Sequence, residues 1–402
     1  MFYESLVVKA MSPMDRGCLK ISLPSGKELQ FGSPEASLQA QMRVVNKDFF
    51  RKCALFGDIG FGEAYVDGDW ETDDITKVIS WMILNVETHP TLMDLKPKRA
   101  PINFFKIVNN LRHHFSANTV AGSRKNIAAH YDLGNEFFRL FLDPGMTYSS
   151  AYFKSSDDTL ESAQANKFER FCKKLAISET DHVLEIGCGW GGFAVHAAKN
   201  YGCKVTAVTV SAQQHQYTTD RVRGEGLSGQ VEVKLIDYRQ LTGNFDKIVS
   251  IEMIEAVGHK FLDVYFQQCH RLLKPEGLLG IQAILAPDTR YESFRKNSDW
   301  IQKHIFPGGL LPSYEAIHKS IRKTGALGLL DYEDITPSYV RTLAAWRDAL
   351  NLEKENLFAL GFDEKFLKKW NYYFSYCEGA FAMKNIGVAQ MVFTRPNNHG
   401  WR

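Results

Sequence analysis

The sequence predicts an α/β protein in which a doubly wound parallel sheet follows a small N-terminal α/β domain. From His182 onward, apolar strand-like segments alternate with helical patterns, which is typical of a parallel sheet with helices on both faces. A glycine-rich loop follows the first of these strands. The chain has 402 residues, more than one ordinary domain needs, so we expect two domains.

The predicted sheet is built from five segments of the C-terminal part. Helical patterns begin at Phe193 and Ser211, and another runs from Tyr265 to Leu272. The strands that alternate with these helices are VLEI, KVTAVTV, VEVKLI, FDKIVSI and LLGIQAIL.

The N-terminal part begins with two predicted strands, LVVKAM and LKISL, and the turn PSGK precedes a further strand, ELQF. Residues 36–90 carry helical patterns, and GDIGFGEAYVDGDW is interpreted as a glycine-punctuated loop between them. The pattern changes near residue 120. We therefore predict an N-terminal lipid- or membrane-associated domain over 1–92, a basic amphipathic linker over 93–124 and a catalytic domain over 125–402.

The linker is marked by its charge, because no acidic residue lies between Asp94 and Asp132. Its apolar residues follow a 4-3-4 spacing that places them on one helical face. Such a helix suits an anionic lipid surface, and a helix packed on the next domain would show the same pattern. Nucleic acid fits less well, since the remaining charges are mixed. The basic residues are Lys96, Lys98, Arg99, Lys106, Arg112, Arg124 and Lys125, and the apolar ones are Phe104, Val108, Leu111 and Phe115.

Several classes of protein are disfavoured by composition. The longest apolar stretch, from Val78 to Val86, is far shorter than the roughly 20 residues of a membrane-spanning helix. The N-terminus lacks the basic start and apolar core of a secretory signal, so a cytoplasmic location is expected. The seven cysteines are scattered and interpreted as reduced, mostly buried thiols. No grouping has metal-ligand spacing, so no metal is predicted.

The loop from Gly187 to Gly192, GCGWGG, fits the spacings of both GxGxG and GxGxxG cofactor loops. A dinucleotide-binding protein would carry an acidic residue at the end of the second strand to hold a ribose. The sequence there reads Thr209-Val210-Ser211. The loop spacing alone leaves a nicotinamide cofactor, a sulfonium cofactor and a structural turn open.

Five motifs decide between these alternatives: VLEIGCGWGGFA, AVTVSAQQ, IVSIEMIEAVGHK, HRLLKPEGL and IFPGGLLPS, in this order. They resemble the cyclopropane-fatty-acyl-phospholipid synthases, and residues 130–153 are similar to the segment that precedes the nucleotide fold in that family and its mycolic-acid-modifying relatives. FGEAYVDGDWE resembles the bacterial phospholipid enzymes. The resemblance implies a class I methyltransferase Rossmann-like sheet with a helical lipid-binding lid, which Asp299, Trp300 and IFPGGLLPS would form.

The implied reaction transfers a methylene group from S-adenosylmethionine to the cis double bond of an unsaturated phospholipid in a membrane. The enzyme would sit on the inner face of the membrane, and the resemblance also implies a homodimer. Glu185 is suggested by its chemistry, as an anchor of the loop or a partner of the cofactor's amino group, and Tyr238 as a ring that stacks on adenine. The other cofactor contacts implied by the resemblance are Tyr148, Ser149, Gly187, Gly189, Thr209, Gln214, Asp237 and, again, Tyr238.

The resemblance also implies a bound bicarbonate ion that removes a proton from the added methyl so that the ring closes. Its partners would be the side chains of Glu255 and Tyr339 and backbone groups of Ser150 and Ile284. Gln282 stands where many members have histidine, and it offers an N–H but cannot carry a proton. Ser150 replaces a common cysteine and Ala256 a common histidine.

These replacements leave alternatives open: a methyl-branched or methylene product, and a lipid-binding relative without turnover. A small-amine N-methyltransferase would share the catalytic fold. Individual residues also have purely structural interpretations. Asp237 can terminate a strand, Glu255 can cap the helix that follows it, and Tyr339 can be a partly buried ring.

Overall fold

The structure, a computed structural model, describes residues 2–86 and 133–399. These residues form two compact units. One contains residues 2–86 together with Lys296–Pro307 and Leu343–Asn385, and the other contains residues 133–295, Gly308–Thr342 and 386–399. The predicted domain boundaries near residues 92 and 124, and the basic linker, lie outside the described residues.

Helices and strands alternate through most of the chain. The strands are β1 (Cys18–Ser22), β2 (Glu28–Gly32), β3 (Gln39–Val44), β4 (Trp70–Glu71), β5 (His182–Ile186), β6 (Lys204–Thr209), β7 (Val231–Leu235), β8 (Phe245–Ile251), β9 (Leu273–Leu285), β10 (Gly328–Asp334) and β11 (Gly387–Thr394). The helices are α1 (Phe2–Met11), α2 (Asp48–Asp67), α3 (Ile75–Val86), α4 (Asn135–Arg139), α5 (Leu160–Lys174), α6 (Gly192–Tyr201), α7 (Ala212–Gly224), α8 (Leu262–Leu272), α9 (Asp288–Lys296), α10 (Trp300–His304), α11 (Tyr314–Thr324), α12 (Thr336–Leu352), α13 (Lys354–Ala359) and α14 (Glu364–Ala382).

The second unit is organised by a seven-stranded sheet in the order β10-β11-β9-β8-β5-β6-β7. Strands β5 to β9 pair in parallel, whereas β11 runs antiparallel to both β9 and β10. Successive residues of β5 enter different apolar clusters, Val183 in one and Leu184 in the other, because side chains alternate between the faces of a strand. Both faces of the sheet are therefore covered, and the predicted doubly wound fold is confirmed.

The first unit contains a four-stranded mixed sheet in the order β2-β1-β3-β4, in which β1 pairs antiparallel with β2 and parallel with β3. The predicted turn at PSGK joins β1 to β2, with the Leu23 and Lys27 backbones hydrogen-bonded. Trp81 of α3 is fully buried, and its ring lies 6.3 Å from that of Phe31 on β2. The small N-terminal α/β fold is thus also found.

Two local predictions in this unit are wrong. LVVKAM is not a strand but lies in α1, where Val7, Ala10 and Met11 are buried at the spacing of one helical face. The segment interpreted as a glycine loop mostly continues α2 to Asp67, with only a kink at Gly57. Gly62 is needed there for close packing, since a Cβ atom on it would lie 2.5 Å from Trp300.

The segment proposed as a lid starts with a capped helix. Asp299 accepts a hydrogen bond from the backbone N–H of Gln302, and the Gln302 side chain accepts one from the Asp299 backbone, so the two form a capping box for α10. The boundary between the compact units falls within the segment, after Pro307.

Two expectations about composition can be compared with the structure. All seven cysteines are free thiols and six of them are buried, as expected. In the described part of the chain, no helix combines the length and the apolar character that a bilayer crossing requires.

Candidate active site

Most of the predicted site residues lie at the carboxyl ends of β5 to β9, and the others come from the segment before α5 and from α12. The order of the sheet reverses at β5, because the chain moves from β5 outward to β6 and β7 and then returns to β8 on the other side. In open α/β sheets, ligands bind in the crevice at such a reversal. The topology therefore places a binding site where the glycine loop leaves β5.

Within the loop, Gly187 and Gly189 have different surroundings. Both have left-handed backbones, with φ of 83° and 52°. A Cβ atom on Gly187 would lie 2.7 Å from the Met253 side chain, whereas one on Gly189 would meet nothing within 4 Å. Gly187 therefore allows close packing inside the protein, and Gly189 leaves the backbone open to a ligand.

Glu185, two residues before the loop, is buried on β5. Burial raises its pKa well above the ordinary value, while a backbone hydrogen bond from Ala194 and the charge of Lys167 act in the opposite direction. Its Oε2 atom is buried and has no hydrogen-bond partner among the described residues. Buried polar atoms in proteins usually have a hydrogen-bond partner. Oε2 of Glu185 can therefore still accept a hydrogen bond from an N–H group of the loop or of a ligand.

At the end of β6, Thr209 and Gln214 contact each other. The Thr209 hydroxyl donates to Gln214 Oε1 at 2.9 Å, and Ser211 caps α7 by accepting from the backbone N–H of Gln214. Because Oε1 of the amide is the acceptor in this bond, the NH₂ group remains available as a donor. The predicted replacement for a ribose-binding carboxylate is therefore geometrically assembled.

Asp237 and Tyr238 follow β7. The Asp237 carboxylate is buried, caps a short 3₁₀ helix and accepts two hydrogen bonds from the Arg239 guanidinium, at 2.8 and 2.6 Å. The Tyr238 ring lies edge-on to that of Tyr265, 5.6 Å away. Asp237 is therefore not the solvated residue at a strand end that its sequence position also allowed, because its carboxylate is buried and paired with Arg239.

Tyr148 and Ser149 come from the segment before α5. The Tyr148 ring packs 5.5 Å from that of Phe138, and the Ser149 hydroxyl accepts a 2.6 Å hydrogen bond from Lys167 Nζ. Lys167 is fully buried, and burial lowers its pKa to about 8. The sequence analysis missed this lysine, although Ala163, Lys167 and Phe171 have the spacing of one buried helical face.

The centre of the site is the carboxylate of Glu252, which the sequence analysis also missed. Its Oε1 atom accepts hydrogen bonds from the Ser150 backbone N–H at 2.8 Å and from Gln282 Nε2 at 2.7 Å. Its Oε2 atom accepts one from the Tyr339 hydroxyl at 2.8 Å. Burial raises the pKa of Glu252, and the charge of Lys167 and these hydrogen bonds oppose that shift.

Glu255 lies in the next turn and has fewer donors. Its Oε1 accepts a 2.6 Å hydrogen bond from the Ile284 backbone, and its buried Oε2 has no partner among the described residues. Burial, together with the charge of Glu252, raises its pKa to about 8. Of the two carboxyl groups, Glu252 has more hydrogen-bond donors and the favourable charge of Lys167, so a negative charge shared by the pair is better stabilised on Glu252 than on Glu255.

The donors expected around an anion at Glu255 are thus divided between two carboxylates. Ser150, Gln282 and Tyr339 donate to Glu252, and only the Ile284 N–H donates to Glu255. The signal that was missed is the first glutamate of SIEMIEA, directly after β8. A polar residue at the carboxyl end of a parallel strand is a candidate site residue by position alone.

A family model for mycolic acid cyclopropane synthetase matches residues 119–391, more than half of the chain. The chain belongs to this family. It is 38% identical to the cyclopropane-fatty-acyl-phospholipid synthase of Escherichia coli strain K12 over 379 residues, which are 91% of each protein. It is 36% identical to the tuberculostearic acid methyltransferase UfaA1 of Mycobacterium tuberculosis over 86% of this chain and 81% of that protein.

Solved structures give the same result. The mycolic acid cyclopropane synthase CmaA1, in a complex with SAH and CTAB, matches with a TM-score of 0.63 and 31% identity over 68% of this chain and 98% of its own. Coclaurine N-methyltransferase matches with a TM-score of 0.62 over 84% of this chain and 99% of its own, but at 20% identity this likeness shows the fold alone. The predicted family and the class I methyltransferase fold are confirmed, and the chain is an S-adenosylmethionine-dependent methyltransferase.

Proposed function

We propose that this enzyme transfers a methylene group from S-adenosylmethionine to the cis double bond of an unsaturated phospholipid acyl chain. The products are a cyclopropane acyl chain and S-adenosylhomocysteine. The observation that carries the proposal is the match to the Escherichia coli phospholipid synthase, which extends over 91% of both chains. By contrast, the match to cyclopropane mycolic acid synthase 1 of Mycobacterium tuberculosis covers 66% of this chain.

The residues at the ends of β5 and β6 suit S-adenosylmethionine, which supplies an electrophilic methyl group when bound. We assign its contacts to the backbone of Gly187 and Gly189 and to the side chains of Glu185, Thr209 and Gln214. The open backbone face at Gly189 and the unpartnered Oε2 of Glu185 support this assignment. We assign further contacts to Tyr148, Ser149, Asp237 and Tyr238, by the resemblance described above.

The bicarbonate ion implied by the resemblance does not fit the donor set of this chain. Three of the groups assigned to it, at Ser150, Gln282 and Tyr339, donate their hydrogen bonds to the Glu252 carboxylate. A second anion there would face an unscreened like charge, which is costly in a partly buried site. No step of the proposed reaction is therefore assigned to bicarbonate.

A second product is compatible with the comparisons. UfaA1, named a tuberculostearic acid methyltransferase, is 36% identical over most of the chain. Methyl transfer to the double bond is common to both proposals, and they differ in which carbon loses the proton. Loss from the added methyl closes a ring, whereas loss from a different carbon leaves a methylene or methyl-branched chain.

We further propose that the protein contacts the cytoplasmic face of the membrane through the basic segment 93–124. The proposal is supported by the charge of that segment, which has no acidic residue after Asp94. Co-sedimentation with anionic vesicles should weaken with salt and on replacing Lys96, Lys98 and Arg99 by glutamate, and should remain low with zwitterionic vesicles. Undiminished sedimentation of that variant would contradict the assignment. A homodimer is proposed from the resemblance alone.

The reaction itself is tested by incubating the protein with S-adenosylmethionine and liposomes that contain a cis-unsaturated phospholipid. We expect acyl chains heavier by one CH₂ with upfield cyclopropane protons in the NMR spectrum. The same mass with an olefinic methylene signal would favour the second product. Methylation of small amines without change in any lipid would refute the proposed acceptor and favour an N-methyltransferase.

A further inference from the structure

We propose that the carboxylate of Glu252 is the catalytic base of this enzyme, a built-in replacement for a bound anion. The inference rests on the proposed function, because it names the group that removes the proton after methyl transfer. It starts from the three hydrogen bonds that converge on this carboxylate from separate parts of the second unit: the Ser150 loop, β9 and α12.

The orientation of Gln282 makes it a hydrogen-bond donor toward Glu252. Its Oε1 atom accepts a 3.1 Å hydrogen bond from Gln390 on β11, and its Nε2 donates to both Glu252 and the Ser150 carbonyl. The reversed amide would place its oxygen against the carboxylate and leave the Ser150 carbonyl without this donor. Gln282 is thus held as a pure donor toward a fixed anion.

The backbone of Glu252 is consistent with a functional role. Its φ is +48°, in the left-handed region that residues other than glycine adopt rarely. Such a conformation costs roughly 1–2 kcal/mol and is found mostly where the surroundings require it. Here it directs the carboxylate at the end of β8 toward Ser150 and Tyr339, while the Glu252 N–H still bonds the Gln282 carbonyl at 2.8 Å.

Three hydrogen-bond donors and the charge of Lys167 oppose the effect of burial on Glu252 and favour the ionised form that a base requires. Glu255, its neighbour in the next turn, has a pKa raised to about 8 by burial and by the charge of Glu252. Lys167 is the buried cation whose charge favours ionised Glu252. Glu252 has three donors from other residues, whereas Glu255 accepts from the Ile284 N–H, so the negative charge of the pair is better stabilised on Glu252.

The proposed step balances as follows. The π pair of the alkene forms a bond to the methyl carbon, the methyl–sulfur bond breaks with its pair remaining on sulfur, and a carbocation forms on the acyl chain. Glu252 then accepts a proton from the added methyl, and the released C–H pair forms the third bond of the ring. The resulting carboxylic acid returns its proton to solvent before the next turnover. No oxidant or reductant is needed.

The test compares the activities of Glu252→Gln and Glu252→Gly with that of the control variant Glu232→Gln, which changes an exposed residue. The reference is the wild-type protein, assayed in buffer depleted of carbon dioxide and bicarbonate. We expect the wild type to keep its activity without bicarbonate. Glu252→Gln should bind S-adenosylmethionine within about twofold of the wild type, while ring formation falls by about 10²–10⁴-fold, the usual contribution of a general base. Glu252→Gly removes the side chain and the left-handed strain together, so it should fold and regain part of its activity with added formate or bicarbonate.

Three results would overturn the inference. They are wild-type ring formation by Glu252→Gln, a wild-type enzyme that stops without bicarbonate and recovers with it, and a larger loss in Glu255→Gln than in Glu252→Gln. Failure of the proposed function is distinguishable, because the wild type itself would then release no S-adenosylhomocysteine with any unsaturated phospholipid although it binds S-adenosylmethionine.

Discussion

Alanine at Gly187 and at Gly189 should separate the structural from the ligand-binding requirement of the glycine loop. Both positions have positive φ, so alanine costs roughly 1–2 kcal/mol of stability at either. At Gly187 the added methyl would also lie 2.7 Å from Met253 Cγ and 3.0 Å from its Cβ, and overpacking of this kind costs about a further 1–3 kcal/mol. Gly187→Ala should therefore be the less stable variant.

The Gly189→Ala variant should also bind S-adenosylmethionine more weakly than the wild type. A methyl group there meets no protein atom within 4 Å, so it would occupy the face that we assign to the cofactor. Isothermal titration calorimetry should give an affinity at least about tenfold weaker, equivalent to 1.4 kcal/mol. Thermal unfolding without ligand should show a decrease of a few degrees, and a smaller one than for Gly187→Ala.

The two measurements refute different parts of the reasoning. Wild-type affinity of Gly189→Ala would mean that the open face of the loop does not contact the cofactor. Equal unfolding temperatures of the two variants would mean that the Met253 side chain moves aside without a free-energy penalty. The backbone angle φ alone would then determine the loss of stability at both positions.

Three further predictions concern side chains around the loop and Glu252. The pKa of Glu255 is raised to about 8, so the stability its protonated form contributes is complete below about pH 4.3 and is lost as pH rises through 8. The free energy of unfolding, measured with denaturant, should therefore decrease less over this pH range for Glu255→Gln than for the wild type. Parallel pH dependences of the two proteins would contradict the pKa shift. Lys167→Met removes a cation that lowers the pKa of Glu252, so the acidic limb of the kcat profile should move up by about one pH unit; an unmoved limb would exclude this coupling. Thr209→Val removes the 2.9 Å bond to Gln214, and titration should show an affinity for S-adenosylmethionine reduced roughly fivefold, whereas unchanged affinity would make the bond dispensable.

The five parallel strands could be predicted because strand and helix periods alternate clearly after His182. The antiparallel strands β10 and β11 were not predicted. The N-terminal errors have a physical origin. A six-residue apolar run such as LVVKAM fits either a strand or a helix, and only the burial of Val7, Ala10 and Met11 decides between them. Gly62 resembles a loop residue in sequence, and its contact with Trp300 arises from residues distant in the chain.

The candidate site was predicted less completely, for a related reason. Ser150, Gln282 and Tyr339 were identified as donors to an anion, but the sequence does not show which of two glutamates three positions apart receives them. That choice depends on the left-handed backbone of Glu252, which turns its carboxylate toward all three donors. A positive φ at a residue other than glycine leaves no signal in a single sequence.

The geometry gives the replacement of histidine by Gln282 a physical reason. A histidine beside a free anion can adjust its own protonation to hold that anion. When the anion is a glutamate of the same chain, its position is fixed by the fold, so a neutral donor suffices. A neutral donor also avoids the titration that a second ionisable group would add near the base. Gln282 is thus a positioning residue whose role depends on the carboxylate of Glu252.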